Sequence, residues 1–260
     1  GRLGPVWLDV PGDVQNAQID PSNLKPIGDL DQFWAQLGQR EYVLETFSLR
    51  REVTRVVELL VHAKRPLLHA GQGVRLSGGI DAFTAFVEKW GIPFVTARNA
   101  NDIVPWDHPL LVGRPGTFAQ RGANFAVQTC DLYIAIGTRL ALTQTGYDSK
   151  DYARNARIVH VDVSDVELKK GMLRDPITIR ADAKAFIVEL DKQVGNIIEP
   201  CDGPTPWRDR CASWKARYPV VLPEYREADS PINSYVFVDA LSDALSGDEV
   251  IVTDMGLAFQ

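Results

Sequence analysis

The sequence predicts an α/β protein built on a Rossmann-like parallel sheet with helices on both faces. Short apolar runs that favour strands alternate along the chain with amphipathic stretches that favour helices. The strand candidates are almost continuously apolar, as expected for strands that are buried on both faces. No Asn-Gly or Asp-Gly turn joins two β-prone runs, so antiparallel hairpins are not indicated.

The central part of the chain supplies this alternation, which starts with a helix that Ser48 can cap. Strands are predicted at 66–70, 92–96, 132–136, 157–163 and 177–179. Helices are predicted at 80–90, 118–130, 166–173 and 183–194, where apolar residues recur at helical spacing. A chain of 260 residues can hold one large domain, or one domain with pieces of its neighbours.

The segments on either side are less regular. Residues 6–10 predict a short strand closed by a turn, and residues 16–47 predict a linker with a short helix near 31–37. Residues 196–232 are irregular apart from a helix around 207–218, whose aromatic residues are typical of packing. A helix at 232–245 then precedes a strand at 249–253. We expect both ends of the chain to lie inside neighbouring domains.

Composition and charge exclude several kinds of partner. The net charge of −6 offers no basic surface for a phosphate backbone, so nucleic acid is not expected as a partner. No apolar run approaches the roughly 20 residues that a membrane span needs. No signal peptide is visible, and three widely spaced cysteines, Cys130, Cys201 and Cys211, fit a reducing compartment. We therefore expect a cytoplasmic protein.

The residues that follow the predicted strands are the candidates for ligand binding, because ligands of doubly wound sheets bind outside the carboxyl ends of the strands. Glycine there permits close backbone approach, arginine can hold a phosphate, and aspartate can accept hydrogen bonds from a ribose. Five such features, four at predicted strand ends and one glycine turn ahead of the helix at 118–130, suggest an elongated, nucleotide-like ligand. They are Gly71 and Gly73, then Gly113, Arg114, Pro115 and Gly116, then Gly137, Thr138 and Arg139, then Asp162 and Val163, and finally Asp182 and Ala183.

Each feature also has a purely structural interpretation. The glycines can form tight turns, Arg139 can pair with a carboxylate in its own loop, and Asp162 and Asp182 can cap the helices that follow. A nicotinamide fingerprint is disfavoured because Leu76 stands where GxGxxG requires its third glycine. Neither a catalytic set nor a metal site is predicted, since there is no GxSxG elbow or Walker A loop and the four histidines lack metal-ligand spacing.

Five segments stand out together: GPVWLDVPGDVQ at 4–15, RPLLHAGQG at 65–73, DLYIAIGTR at 131–139, RIVHVDV at 157–163 and VTDMG at 252–256. In this order they resemble thiamine-diphosphate enzymes of the acetolactate synthase and benzoylformate decarboxylase superfamily. The resemblance divides the chain into four parts. Residues 1–47 would end a pyrimidine-binding domain and start a linker, 48–195 would form the central domain, 196–232 a second linker, and 233–260 the start of a pyrophosphate-binding domain.

This resemblance implies a parent enzyme that uses thiamine diphosphate and Mg²⁺ and assembles as a homodimer or homotetramer. Such an enzyme decarboxylates a 2-oxo acid such as pyruvate and passes the resulting unit to a second carbonyl, as a lyase or transferase. The family's activating glutamate and its GDG…N magnesium motif are not in this sequence. We therefore expect no catalytic residues here and an inactive piece, with one cofactor turn retained at Gly256, Leu257 and Ala258.

The resemblance also implies that FAD lies across the strand ends of the central domain, on the residues named above. The sequence departs from the flavin pattern after Arg139, where Ala141, Leu142 and Thr143 replace an acidic pair and a second arginine. FAD, ADP and an empty site therefore all stay open, and the run from Arg139 to Tyr147 is closer to acetolactate-synthase-like proteins of surface-sugar pathways. The alternative function is a non-catalytic nucleotide-binding module with a scaffolding or regulatory role.

Overall fold

A computed structural model of the chain describes residues 7–24, 28, 46–199, 203, 205–227, 231–247 and 249–252. The chain divides into two compact units, residues 1–43 and residues 44–260. In the first unit, helix α1 (Gly12–Gln15) is followed by a 3-10 helix at Pro21–Asn23. Asp20 caps this 3-10 helix by accepting a hydrogen bond from the backbone N–H of Ser22 at 2.9 Å.

The second unit is built on one parallel sheet of six strands. They are β1 (Pro66–Ala70), β2 (Phe94–Thr96), β3 (Leu111–Gly113), β4 (Leu132–Ile136), β5 (Arg157–Asp162) and β6 (Ile177–Arg180). Their order across the sheet is β3-β2-β1-β4-β5-β6, with every neighbouring pair parallel. The order reverses between β1 and β4, which is the switch point of a doubly wound sheet. The predicted Rossmann-like α/β fold is confirmed.

Helices connect these strands and cover the sheet, apart from the last two, which have no buried residues. In chain order they are α2 (Thr46–His62), α3 (Gln72–Leu76), α4 (Ile80–Trp90), α5 (Arg121–Thr129), α6 (Leu142–Thr145), α7 (Asp165–Leu168), α8 (Ala183–Val194), α9 (Pro206–Arg217), α10 (Pro223–Arg226) and α11 (Ser234–Ala244). Gly91 ends α4 in the left-handed conformation, with φ of 59°. Thr205 begins α9 by accepting a hydrogen bond from the backbone N–H of Arg208, and Pro206 fits the first turn.

The sheet separates two apolar cores, as its helices on both faces require. One core contains α2, α4 and α8, and the other contains α5 and α9. Along β4, Leu132, Ile134 and Ile136 enter the first core, whereas Tyr133 and Ala135 enter the second. This alternation follows the two-residue period of a strand and explains why β4 is apolar at every position.

The segment 196–232, predicted as a linker with one helix, contributes α9 to the second core. Trp207 and Cys211 of α9 are 5% and 2% exposed. The indole N–H of Trp207 donates to the carbonyl of Pro66 at 2.8 Å, and the rings of Trp207 and Trp214 meet edge to face with their centroids 5.9 Å apart. The prediction that these aromatic residues serve packing is confirmed.

Several details of the described residues differ from the sequence predictions. Strand β3 was not predicted, because three residues between His108-Pro109 and a glycine turn are too short to show a period. Helix α2 begins at Thr46, so Ser48 lies inside it instead of capping it.

The described parts of the predicted strands 6–10 and 249–253 form no strand, and Trp7 and Val252 are 91% and 89% exposed. β-prone residues form a strand only beside a pairing partner and a buried face. The predicted helix near 31–37 lies outside the described residues.

Candidate functional site

The loops after β1 and β4 meet backbone to backbone at the switch point. The N–H of Gly71 donates to the carbonyl of Ile136, and the N–H of Gly73 donates to the carbonyl of Gly137, both at 2.9 Å. A Cβ on Gly71 would lie 2.5 Å from Thr138 Cα, and one on Gly73 would lie 2.6 Å from Gly137 Cα. The two glycines are therefore required by the contact between these loops, whatever they do toward a ligand.

The loop after β3 is fastened to α5 and to the loop after β4. Gln120 Oε1 accepts a hydrogen bond from the N–H of Arg114 at 2.7 Å. Asn124 holds Gly116 at two points, since its side chain accepts from the N–H and donates to the carbonyl, each at 2.9 Å. The N–H of Thr117 donates to the carbonyl of Thr143 at 2.9 Å. The turn Gly113–Gly116 is thus a fixed part of the carboxyl edge, with Pro115 buried inside it.

Arg139 and Asp162 lie at the ends of neighbouring strands, β4 and β5. Arg139 Nε lies 3.5 Å from Glu167 Oε1, and the Arg139 side chain is 63% exposed. Lys170 forms an ion pair with the same glutamate. Asp162 is buried and accepts a hydrogen bond from the N–H of Ser164 at 2.8 Å. The salt bridge that the sequence offered as an alternative role for Arg139 is therefore present, while most of the Arg139 side chain still faces solvent.

The remaining predicted residues follow β5 and β6. The carbonyl of Val163 accepts from Arg180 Nε at 3.3 Å. Asp182 caps α8 by accepting from the N–H of Ala185 at 3.0 Å, and Ala183 is buried beneath it. The capping interpretation of Asp182 is confirmed. The predicted cofactor turn at Gly256, Leu257 and Ala258 lies outside the described residues.

A buried polar network, which sequence reasoning missed, lies beneath the same edge. His69 of β1 is fully buried, and its Nδ1 is hydrogen-bonded to the hydroxyl of Tyr133. That hydroxyl lies 2.9 Å from the hydroxyl of Tyr152. On the other side of the ring, Nε2 of His69 lies 2.9 Å from Nε2 of Gln144. The hydroxyl of Thr138 donates to Gln144 Oε1 at 3.3 Å. The network therefore fastens the loop after β4 to the interior of the sheet.

One proton arrangement satisfies these contacts. The Gln144 amide donates to His69 Nε2, the neutral ring donates from Nδ1 to Tyr133, and Tyr133 donates to Tyr152. Burial, and then the nearby His160, lower the pKa of His69 to about 3. Burial likewise raises the pKa of Tyr133. The network is therefore uncharged near neutral pH, and His69 is a core histidine with both ring nitrogens hydrogen-bonded.

One buried acceptor at the switch point has no hydrogen-bond partner in the described part of the chain. Gln72, directly after Gly71, has a buried side-chain oxygen that accepts no hydrogen bond from the described residues. A buried, unpaired polar atom costs free energy, and a ligand hydroxyl or N–H could satisfy it. This oxygen, the Asp162 carboxylate and the Arg139 guanidinium follow three adjacent strands, β1, β5 and β4. The edge can thus hold a polar ligand with hydrogen-bond donors and negative charge.

Metal sites, membrane spans and reactive thiols are all absent from the described residues. No group of three or more His, Cys, Asp or Glu side chains in them could hold a metal ion. No helix within the same residues is long and apolar enough to cross a membrane. Cys130 and Cys211 are buried free thiols, and burial raises the pKa of both, that of Cys211 to about 12.

Known proteins resemble this chain along nearly all of its length. Two relatives are probable acetolactate synthase large subunits from Methanococcus aeolicus and Methanocaldococcus jannaschii, and they are 30% and 32% identical to it. Each match covers 98% of this chain but only 43% and 42% of the relative. The isozyme 2 large subunit of acetolactate synthase from Escherichia coli is 28% identical, with coverage of 98% and 42%. The chain thus spans about two fifths of the length of these relatives.

A family model agrees with both the fold and these relatives. Residues 53–190 match the model described as thiamine pyrophosphate enzyme, central domain. This range begins inside α2 and ends inside α8, so it contains the whole six-stranded sheet and its carboxyl edge. The chain therefore belongs to the thiamine pyrophosphate enzyme family, and its sheet is the central domain of that family.

Proposed function

We propose that this chain is part of a thiamine-diphosphate- and Mg²⁺-dependent decarboxylase or carboligase that acts on a 2-oxo acid such as pyruvate. The names of the relatives and the family of the central domain support this proposal. Bound thiamine diphosphate would supply the electron sink for decarboxylation. The family resemblance further supports a homodimeric or homotetrameric parent, with cofactor contacts in the segments that flank the sheet.

The role proposed for the chain itself is to hold a nucleotide, ADP or FAD, at the carboxyl edge of the sheet. The observation that carries this role is the unpaired, buried oxygen of Gln72 at the switch point, which finds no donor among the described residues. Asp162 could accept from ribose hydroxyls, and the exposed guanidinium of Arg139 could bind a phosphate. These residues fit the ribose and phosphates that ADP and FAD share.

The flavin ring itself has less support than the nucleotide part. Residues Ala141–Thr143 bring no charge to the edge, and the loop that contains them is held inward by Gln144 and His69. We therefore favour ADP over FAD. A purified protein that shows the absorbance of oxidised flavin after incubation with FAD would reverse this preference.

A non-catalytic scaffold is the second candidate function, and specific contacts favour it. Gly71 and Gly73 are explained by loop packing, Arg139 is engaged by Glu167, and Asp182 caps α8. Each of these candidates thus has a structural role that needs no ligand. Unlike the nucleotide-binding module that the sequence leaves open, a scaffold that depends on these contacts alone predicts that neither ADP nor FAD binds to the chain.

Calorimetric titration of the chain with ADP separates the two functions. We expect binding, and we expect Gln72→Met to weaken it about tenfold, because methionine removes the acceptor at similar volume. Gln128→Met is the matched control. Gln128 lies on α5, and its Oε1 already accepts a hydrogen bond from Arg154 Nε at 3.2 Å. Absence of ADP binding, or equal affinity in the Gln72→Met variant, would reject the proposed nucleotide site.

The family assignment also predicts what the chain cannot do alone. With pyruvate, thiamine diphosphate and Mg²⁺, the 260-residue chain is expected to release no CO₂ above the background without protein. Measurable turnover by this chain would contradict the assignment of catalysis to other segments.

A further inference from the structure

Three aromatic rings meet on the outer side of helices α5 and α9. Phe125 of α5 contacts both of the others, with its ring centroid 5.9 Å from that of Trp214 and 5.4 Å from that of Tyr218. Phe125 is 39% exposed, and Trp214 and Tyr218 are half-buried. These rings form an apolar area at the surface, which we call the α5–α9 face.

Three exposed arginines lie over these rings. The guanidinium carbons of Arg121 and Arg217 lie 6.0 and 5.6 Å from the ring centroid of Tyr218. That of Arg210 lies 5.8 Å from the ring of Trp214. None of the three arginines forms an ion pair with an acid in the described part of the chain. A guanidinium that stacks on a ring can still donate its N–H groups to a carboxylate.

The charge of the α5–α9 face is opposite to that of the whole chain. The chain has 34 acidic and 28 basic residues and a net charge of −6. Helices α5 and α9 together contain five basic residues and one acid, Asp209. Aromatic residues and arginine are also the types that protein–protein interfaces are enriched in. The face therefore has the composition of an interface, and its charge is complementary to an acidic partner.

The spacing of the arginines indicates the size of the partner. Arg210 and Arg217 are seven residues apart on α9, which corresponds to about 10 Å along the helix axis. An extended peptide rises about 3.3 Å per residue, so two acids three residues apart span the same length. The two residues between those acids would then lie over the rings of Trp214 and Phe125. The matching partner has the pattern acid, apolar, apolar, acid.

We propose that the α5–α9 face is a docking surface for a short acidic segment of another protein, with carboxylates on the arginines and apolar side chains on the rings. The net charge of −6 disfavours a nucleic acid, whose long polyanion would extend beyond the face. Helix α9 lies outside residues 53–190, which match the family model, so the family assignment does not account for this surface. The docking role needs no nucleotide at the carboxyl edge.

Fluorescence anisotropy with two labelled peptides tests the docking surface. The acidic probe is Glu-Leu-Phe-Glu with blocked ends, and the neutral probe is Gln-Leu-Phe-Gln. We expect the acidic probe to bind the 260-residue chain at least about tenfold more tightly than the neutral probe, since only the acidic probe can form two ion pairs. Added salt should weaken the binding of the acidic probe, because exposed charges are screened.

Substitutions on the face locate the binding. The double variant Arg210→Gln, Arg217→Gln should lose about tenfold in affinity for the acidic probe and keep the affinity for the neutral one. Arg51→Gln is the matched control, because Arg51 is an exposed arginine on α2, which packs on the other face of the sheet. Both arginine variants should melt at the wild-type temperature, since the side chains that they change are exposed.

Four results would overturn the docking proposal. The first two are an acidic probe that does not bind at up to about 1 mM, and equal affinities of the wild type and the double variant for it. The third is self-association of the chain in sedimentation velocity that the double variant abolishes, which would assign the face to a second copy. The fourth is tighter binding of an oligothymidylate than of the acidic probe, lost in the double variant. The ADP titration tests the nucleotide function separately, so either proposal can fail alone.

Discussion

At the residue scale, Gly137 shows why the switch point tolerates only glycine. Its φ is +60°, and a Cβ there would lie 2.7 Å from Gly73 Cα. The first feature alone disfavours a side chain, because the left-handed conformation costs an L-residue about 1–2 kcal/mol. The second adds a steric cost, because neither loop can withdraw without breaking the hydrogen bond between Gly73 and Gly137.

Gly137→Ala and Gly171→Ala separate these two costs. Gly171 has φ of +67° but nothing within 4 Å of its would-be Cβ. We expect Gly171→Ala to lower the free energy of unfolding by about 1–2 kcal/mol, and Gly137→Ala to lower it by at least about 2 kcal/mol more. Urea unfolding measures both. Equal losses would show that the two loops do not pack as described.

The buried ring of His69 makes stability depend on pH. Its pKa is about 3 in the folded protein, against an ordinary value of 6.5. Below pH 6.5 the unfolded chain therefore binds a proton that the folded protein does not, so stability falls as pH falls toward 3. From about pH 7.5 to about pH 5 this one group should remove about 2 kcal/mol from the free energy of unfolding.

His69→Gln should make the loss of stability between about pH 7.5 and about pH 5 smaller by that amount. His62→Gln is the matched control, because His62 is an exposed histidine at the end of α2. Urea unfolding at the two pH values gives the comparison. A His69→Gln variant with the wild-type pH dependence would show that folding does not lower the pKa of His69.

At the scale of elements, α9 extends the central domain beyond the residues that match the family model. Trp207 is 5% exposed and bonds to β1 through the Pro66 carbonyl. Trp207→Ala should therefore lower the free energy of unfolding by about 3–5 kcal/mol. Trp106→Ala, at a side chain that is 50% exposed, should cost about 1 kcal/mol or less. If a denaturant titration gave similar losses of unfolding free energy for Trp207→Ala and Trp106→Ala, α9 would be only a connecting segment.

How far an element could be predicted from the sequence depends on its length and pattern. β1, α4, β4 and α8 have the predicted bounds, because each carries a complete apolar pattern between clear end signals. β3 could not be predicted, since three residues are too few to show a period. The strand-end candidates followed from the rule that ligands bind at carboxyl ends. The network of His69, Tyr133 and Gln144 could not be predicted, because its members are up to 75 residues apart and only the fold brings them together.

At the scale of the whole molecule, the carboxyl edge is where the fold and the proposed function meet. The switch point between β1 and β4 contains the Gln72 oxygen, which has no hydrogen-bond partner among the described residues. The neighbouring strands β4 and β5 bring Arg139 and Asp162 to the same edge. The opposite edge, where β4 and β5 begin, is closed by hydrogen bonds from the backbone N–H groups of residues 64 and 65 to Asp131. This contrast supports placing the proposed ligand site at the carboxyl edge.

Hydrogen–deuterium exchange with and without ADP decides whether the carboxyl edge binds a nucleotide. We expect slower exchange with ADP in peptides from the loops after β1, β4 and β5, at residues 71–77, 137–146 and 162–168. Peptides from the amino edge, at residues 63–66 and 153–157, should exchange at the same rate in both conditions. Unchanged exchange throughout, or protection confined to the amino edge, would contradict the assignment of a nucleotide site to the carboxyl edge.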